Sequence, residues 1–262
     1  MSNALGGHVH RTKQRRVLRA SLALGIVGLL IFIPLIVFSQ FRLDLAYRLG
    51  LAPGEGVEQI AGANDDVSLI VIPFKVAGET ASDPYRNRAQ FLATTSGDGT
   101  DLKSLTTNHI IHILLGSIDF VAASDDGNNI LLREGSIPSR SHSVLIDVTT
   151  DAVSELPVGT VAPDLEGDWQ TPVWQKTSGR CGPRSVTGIY VACLPRAALA
   201  TYLAGDWQLN LQIYGNYQRR QDVFRGMGFL PTIGFAANDT VVYLQNERGI
   251  WRADIDPAGF ST

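Results

Sequence analysis

Acidic residues are absent from the first 40 positions of this 262-residue chain, where five basic residues stand: Arg11, Lys13, Arg15, Arg16 and Arg19. The rest holds 17 of the 22 basic residues against all 25 acidic ones, a net of −8. A field of that sign repels phosphate backbones and excludes nucleic acid as a partner of the main domain. Cysteine is scarce as well: Cys181 and Cys193 are the only two, so no lipid-modified cysteine follows the apolar segment. There is no Gly-x-Ser-x-Gly elbow for a nucleophilic serine, no spaced set of calcium ligands, and no Gly-rich loop opening a helix. The expectation from these gaps is a protein that is not an enzyme and has no catalytic, cofactor or metal residues to name.

What is present begins with an apolar run. Residues 20–38 (ASLALGIVGLLIFIPLIVF) carry no charge and are bracketed by Arg19 and Arg42. As a helix they cover roughly 28 Å, close to the ~30 Å hydrocarbon core of a bilayer, with every backbone polar group satisfied internally. Pro34 is tolerated in such a helix. Arg15, Arg16 and Arg19 dominate one flank, whereas Arg42 and Arg48 on the other are offset by Asp44. The basic side stays in the cytoplasm, which sends the C-terminal domain to the periplasm or the extracellular space. A cleaved signal peptide is the rival reading, but its apolar region usually ends at about 15 residues. The expected organisation is a basic cytoplasmic tail (1–19), a single transmembrane helix (20–41), a juxtamembrane helix end and linker (42–66), and an extracytoplasmic domain (67–262).

That domain reads as strand after strand. Residues 67–74, 110–115, 118–122, 129–132, 143–148, 188–193, 209–214, 241–244 and 249–255 are rich in β-branched and large apolar side chains. Turn clusters such as Ser96-Gly-Asp-Gly99, Ser124-Asp-Asp-Gly127 and Asn238-Asp239 punctuate them. A weak repeat links two stretches: 118–132 with 143–156, and 233–244 with 249–255. Each shows an aromatic, two alanines, a polar turn, an apolar strand, and a further strand carrying aspartate. A looser copy runs from Pro172-Val-Trp-Gln to Gly188-Ile-Tyr-Val, and another from Gln90 to Thr106.

These units resemble the blades of TolB-type and WD-repeat-like β-propellers. Phe120 to Leu132 matches the first half of such a blade, Ser143 to Leu156 the second, and Asp98-Gly-Thr-Asp-Leu-Lys-Ser-Leu-Thr106 the closing phrase. The resemblance implies a mainly β domain of about four blades, small or incomplete, with a β-sandwich as the alternative. Closure would need residues 67–76 to complete the last blade; otherwise the array stays open and its edge wants a partner.

Candidate sites are few. His109 and His112 sit three apart, a spacing that in a strand sends them to opposite faces, so they read as ordinary histidines. Asp125-Asp-Gly-Asn-Asn129 reads as a hairpin turn. Cys181 and Cys193 admit two readings, a disulfide across one hairpin or a buried thiol in an apolar strand. Trp169, Trp174, Trp207 and Trp251 gather in the C-terminal half, either as packing residues or as a partner-binding face. The function expected is a membrane-anchored, non-catalytic scaffold or binding module, an accessory subunit that touches the lipid bilayer and a protein partner. One alternative is an extracytoplasmic propeller hydrolase, for which Asp119, Asp147 and Asp254 are the carboxylates offered by repeat position. The other is the ligand-binding ectodomain of a sensor.

Overall fold

The structure, a computed structural model, describes residues 56–80, 83–135, 137–162, 165–171, 181–193, 206–227 and 231–260. The expected basic tail and the 20–41 helix, with Arg15, Arg16, Arg19 and Arg42, lie outside the described residues, and so does Trp174. Among the described residues no helix is long and apolar enough to cross a membrane. The fold there is mainly β, with short 3-10 turns such as Pro138–Arg140 and Pro257–Gly259.

The strands follow one another as β1 (Val57–Gly62), then β2 (Val67–Phe74), β3 (Arg86–Ser96), β4 (Gly99–Ser104) and β5 (Ile110–Ile113). Next come β6 (Phe120–Ser124), β7 (Asn129–Arg133), β8 (Ser143–Asp147), β9 (Ala152–Leu156) and β10 (Trp169–Gln170). The C-terminal part holds β11 (Cys181–Arg184), β12 (Tyr190–Cys193), β13 (Asp206–Ile213), β14 (Asn216–Met227), β15 (Thr232–Phe235), β16 (Val241–Asn246) and β17 (Gly249–Asp254). Pairing sorts sixteen of them into four antiparallel meanders of four strands, and β10 adds to the second as an outer strand on β6. The first is β2-β3-β4-β5, the second β6-β7-β8-β9, and the third β11-β12-β13-β14. The fourth is β15-β16-β17, completed by β1 from the other end of the described chain.

β1 corrects the expected boundaries. Residues 42–66 read as a helix end stopping at Gly50, with Pro53 beyond and a linker starting at Gly54-Glu-Gly56. In the structure Val57 pairs with Ala253, and Gly62 with Gly249. Its burial is slight except at Ala61, as suits an outermost strand. The closing strand is therefore 57–62, and residues 67–74 instead open the first meander. The expected third copy begins at residues 172–175, which lie outside the described residues; the first described strand of the third meander is Cys181–Arg184.

Apolar side chains fill the spaces between meanders, which is why each strand unit needs its neighbours. Ile70, Phe91 and Leu102 of the first meander share a core with Ile130, Leu132 and Ile146 of the second. Leu211 and Phe224 of the third pack with Phe235, Leu244 and Trp251 of the fourth. Val71 and Ala89 meet Ile250 and Ala61 between the fourth and the first. Burying such side chains stabilises by about 1.5–3 kcal/mol each relative to exposure.

The meanders join at the start of β3. There Arg86 is the parallel partner of Arg184 in β11, and Arg88 is the parallel partner of Phe235 in β15. The approach to β15 is close: a Cβ on Gly234 would fall 2.8 Å from the Ala89 amide nitrogen and 2.9 Å from its Cα. The buried Asn87 side chain donates to the Ile233 carbonyl at 3.0 Å across the same junction. This junction brings charged side chains from separate meanders to one place.

Candidate functional site

In three of the meanders the first hairpin turn is tight and built alike. Gly127 N–H donates to Ser124, Gly188 N–H to Ser185, and Asp239 N–H to Ala236. The donor residue has positive φ in each, +71° and +81° for the glycines and +56° for Asp239. Glycine occupies that region without a Cβ penalty, and aspartate is among the few other residues that tolerate it. The first meander departs from this pattern. Its β2–β3 connection, residues 75–85, is long and carries Lys75, Glu79, Asp83 and Tyr85, with residues 81 and 82 outside the described set.

This long connection meets the other turns. Glu79 Oε1 accepts from Arg86 Nε at 2.9 Å, Arg86 Nη2 at 2.7 Å and Arg184 Nη1 at 2.8 Å. Glu79 Oε2 accepts from the Val76 amide at 3.0 Å. The three side chains are 10% to 14% exposed. Arg86 also reaches the Val186 carbonyl at 2.8 Å, and Arg184 the Gly188 carbonyl at 3.1 Å, so both guanidiniums tie to the third turn. Gly188 is required for this geometry, because a Cβ there would sit 2.6 Å from Arg184 Nη2. The Arg184 guanidinium lies 3.9 Å from the centre of the Tyr214 ring, and Tyr214 donates to Asp83 at 3.1 Å.

The network continues into the second and fourth meanders. Tyr85 donates to Asp125 Oδ1 at 2.9 Å, and the Lys75 amide to the Asp125 carbonyl at 2.8 Å. Arg88 reaches the Gly127 carbonyl at 3.2 Å. Asp239 accepts from the Val186 amide at 2.8 Å, from the Thr187 amide at 3.1 Å and from the Thr187 hydroxyl. One polar knot thus links all four turns.

Titration follows from this wiring. Burial by itself would raise the Glu79 carboxyl, but the Val76 and Arg86 hydrogen bonds and the two arginine charges outweigh it and hold it below the ordinary value. The Tyr85 hydroxyl is pushed up to about 12 by burial and by Asp125. Tyr214 is raised by burial and by Asp83. Burial lowers Arg88. Groups locked in one ionisation state around neutrality suit a pin better than a proton shuttle.

The residues singled out in the sequence fall in different places. Cys181 and Cys193 form a disulfide, Cα to Cα 4.0 Å, as direct partners on β11 and β12. Trp251 cannot belong to a partner-binding face: it is 5% exposed, and its ring centre lies 5.6 Å from that of Phe224 in the core. The inward register of β17 decides this, since Trp251 stands opposite Leu244. Trp169 is half-buried on β10 and donates to the Glu166 carbonyl at 3.2 Å. Trp207 is a position of β13. Trp169 and Trp251 lie on strands of different sheets.

His109 and His112 take separate partners, Asp151 at 3.1 Å and Asp101 at 2.7 Å. Among the described residues no group of three or more metal-ligating side chains occurs. Asp119, Asp147 and Asp254 are not brought into a common set of hydrogen bonds. Asp119 accepts from Ser117 and the Gly135 amide, Asp147 from Thr149 and the Thr150 amide, and Asp254 from Arg252. The residues that sequence reasoning missed are Glu79, Arg86 and Arg184. The one available signal was the break in turn length after Phe74.

No known protein family matches this chain, and no curated protein matches it. Among solved structures it is similar to TolB from Acinetobacter baumannii, at 12% identity and a TM-score of 0.30, over 73% of this chain and 55% of that one. It is also similar to a structure from a study of two prolyl endopeptidases, at 14% identity and a TM-score of 0.22, over 75% of this chain and 29% of that one. The chain therefore spans about half of the first of these proteins and less than a third of the second.

Proposed function

We infer that this chain is a membrane-anchored scaffold or binding module, an accessory subunit that holds a four-bladed, propeller-like domain outside the cytoplasm against a protein partner. The observation that carries the reading is the link between the apolar run and the fold. The apolar run ends at Phe38, and β1 begins at Val57, already paired with the last meander. The 18 residues between them span at most about 60 Å when fully extended. A helix across the bilayer would thus tether the domain through its own closing strand.

Other observations support parts of this reading. The basic leader favours a cytoplasmic N-terminus. A disulfide between Cys181 and Cys193 suits an oxidising compartment. Four meanders with linked first turns support a blade reading, and the pairing of β1 with β17 is the kind of contact that would close such a ring. A non-catalytic role agrees with the use of Glu79 and of Asp119, Asp147 and Asp254 in structural hydrogen bonds.

Two measurements test it. Protease outside sealed, oriented vesicles should digest the β domain when the non-cytoplasmic face is outward; digestion of the basic leader instead, with the domain spared, overturns the sidedness. Crosslinking in native membranes should capture a partner in fixed proportion, whereas a lone monomer overturns the scaffold role.

A further inference from the structure

The second meander carries a cation for which the described residues supply no counter-charge. Phe120, Arg133, Ser143 and Leu156 are register partners in one row across β6, β7, β8 and β9, so their side chains share a face. Arg133 is 7% exposed and Ser143 3%. The Arg133 guanidinium lies 4.3 Å from the centre of the Phe120 ring. Its Nε is buried without a hydrogen-bond partner, and so is the Ser143 hydroxyl. No ion pair to Arg133 exists among the described residues.

Nearby acids do not fill the gap. Asp119 is committed to Ser117 and the Gly135 amide. Glu155 neighbours a residue of the row on β9, so its side chain leaves by the opposite face, and the Glu134 carboxylate lies against Gly116, where a Cβ would fall 3.0 Å from its Oε1. Arg184 likewise has a buried Nε without a partner, but its guanidinium is paired with Glu79 through Nη1. A buried charge or hydroxyl without a partner is costly, and two on adjacent strands of one face are more than a packing accident.

The Glu134 amide donates to the His142 carbonyl at 2.9 Å. That makes the next pair, Arg133 and Ser143, a non-hydrogen-bonded pair, in which side chains stand closer. The connections leaving β7 and β9 at this end expose Ile137 and Val158, each at 58%. One guanidinium and one hydroxyl therefore stand as neighbours in the row between Phe120 and Leu156, and the connections beyond that end of the sheet carry exposed apolar side chains. A single positive charge matches a singly charged, planar carboxylate better than a phosphate dianion, and the fork of the guanidinium fits two carboxylate oxygens.

We propose that Arg133 and Ser143 form a binding site for the carboxylate of an apolar ligand, either a short free acid or the C-terminal residue of a peptide. Arg133 holds the carboxylate, Ser143 donates a further hydrogen bond, and Phe120 and Leu156 cover the apolar body. The site is separate from the polar knot and does not depend on which side of a membrane the domain occupies.

The test uses the full-length chain in non-ionic detergent, titrated with isovalerate, N-acetyl-leucine, the uncharged amide of each, and inorganic phosphate. At least one carboxylate should raise the melting temperature saturably, and its amide should not. Isovalerate alone identifies a free acid, and stronger binding of N-acetyl-leucine identifies a peptide terminus. Arg133→Met should abolish the shift. Ser143→Ala, a small change at a hydroxyl with no internal hydrogen bond, should keep the fold and weaken binding about tenfold, as the loss of one hydrogen bond to a charged group does. The proposal is overturned if neither carboxylate shifts the melt, if the amides shift it equally, if only phosphate does, or if Ser143→Ala binds as tightly as the parent protein.

Discussion

Replacing Glu79 by glutamine tests whether the polar knot holds the meanders together. The change keeps the shape of the side chain and removes its charge. Two guanidiniums that now share one carboxylate oxygen, at 2.7 Å and 2.8 Å, would lose the anion between them, leaving Asp83 beyond Tyr214 as the remaining acid acting on Arg184. The amide nitrogen would in addition compete for the place of Oε2, which accepts from the Val76 amide. Breaking a buried pair by removing one partner costs about 3–5 kcal/mol. The glutamine oxygen retains part of the hydrogen bonding, so the expected loss is near the lower end, about 3 kcal/mol. For a domain of this size that corresponds to a fall in melting temperature of roughly 6–12 °C. Denaturant unfolding of the full chain in non-ionic detergent measures it. Removing one orphaned cation as well, in Glu79→Gln with Arg184→Met, should recover at least about 1 kcal/mol, and the double-mutant cycle isolates the coupling. Because the folded-state carboxyl is held below its ordinary value of 4.5, its contribution is complete above that value and disappears as pH falls through the lower folded value. The acid limb of the parent protein should therefore flatten in Glu79→Gln. A loss under about 1 kcal/mol, or an unchanged acid limb, refutes the knot as a structural pin.

Three further outcomes are expected. Reducing Cys181–Cys193, twelve residues apart, should cost about 3 kcal/mol in the chain-entropy view, read as a lower unfolding midpoint with reductant present. Gly234→Ala should destabilise by about 2 kcal/mol or more, because its Cβ would press on Ala89 backbone atoms, whereas Gly97→Ala, with open space around it, should be neutral in the same melt. Trp251→Ala should cost about 3–5 kcal/mol as a core truncation while Trp169→Ala costs far less; equal effects would contradict the placement of Trp251 in the core.

Much of the strand content was legible before any coordinates. Val67–Phe74 was read with its observed limits, because a run of β-branched and apolar residues between turn signals has few other folds. Gly127 and Asp239 were visible as turn residues for the same local reason, since positive φ selects them. β1 was not legible. VEQIAG has no apolar face of its own and becomes a strand only because β17 offers an unpaired edge. The two readings of the cysteine pair could not be separated from spacing, because only the register of β11 on β12 sets Cys181 against Cys193.

The sequence by itself determined the asymmetry of charge, the apolar run and the succession of strands and turns, all of which depend on neighbours along the chain. Tertiary structure decided which side chains meet. Glu79 lies 105 residues from Arg184, and Asp239 lies 53 from Val186, distances at which no local pattern constrains the partner. Packing of the meanders closes those gaps: apolar faces must find one another, and the charged residues at the ends of their strands are brought into reach as a consequence. The same packing buries Arg133 without a counter-charge among the described residues, a fact that residue order alone could not contain.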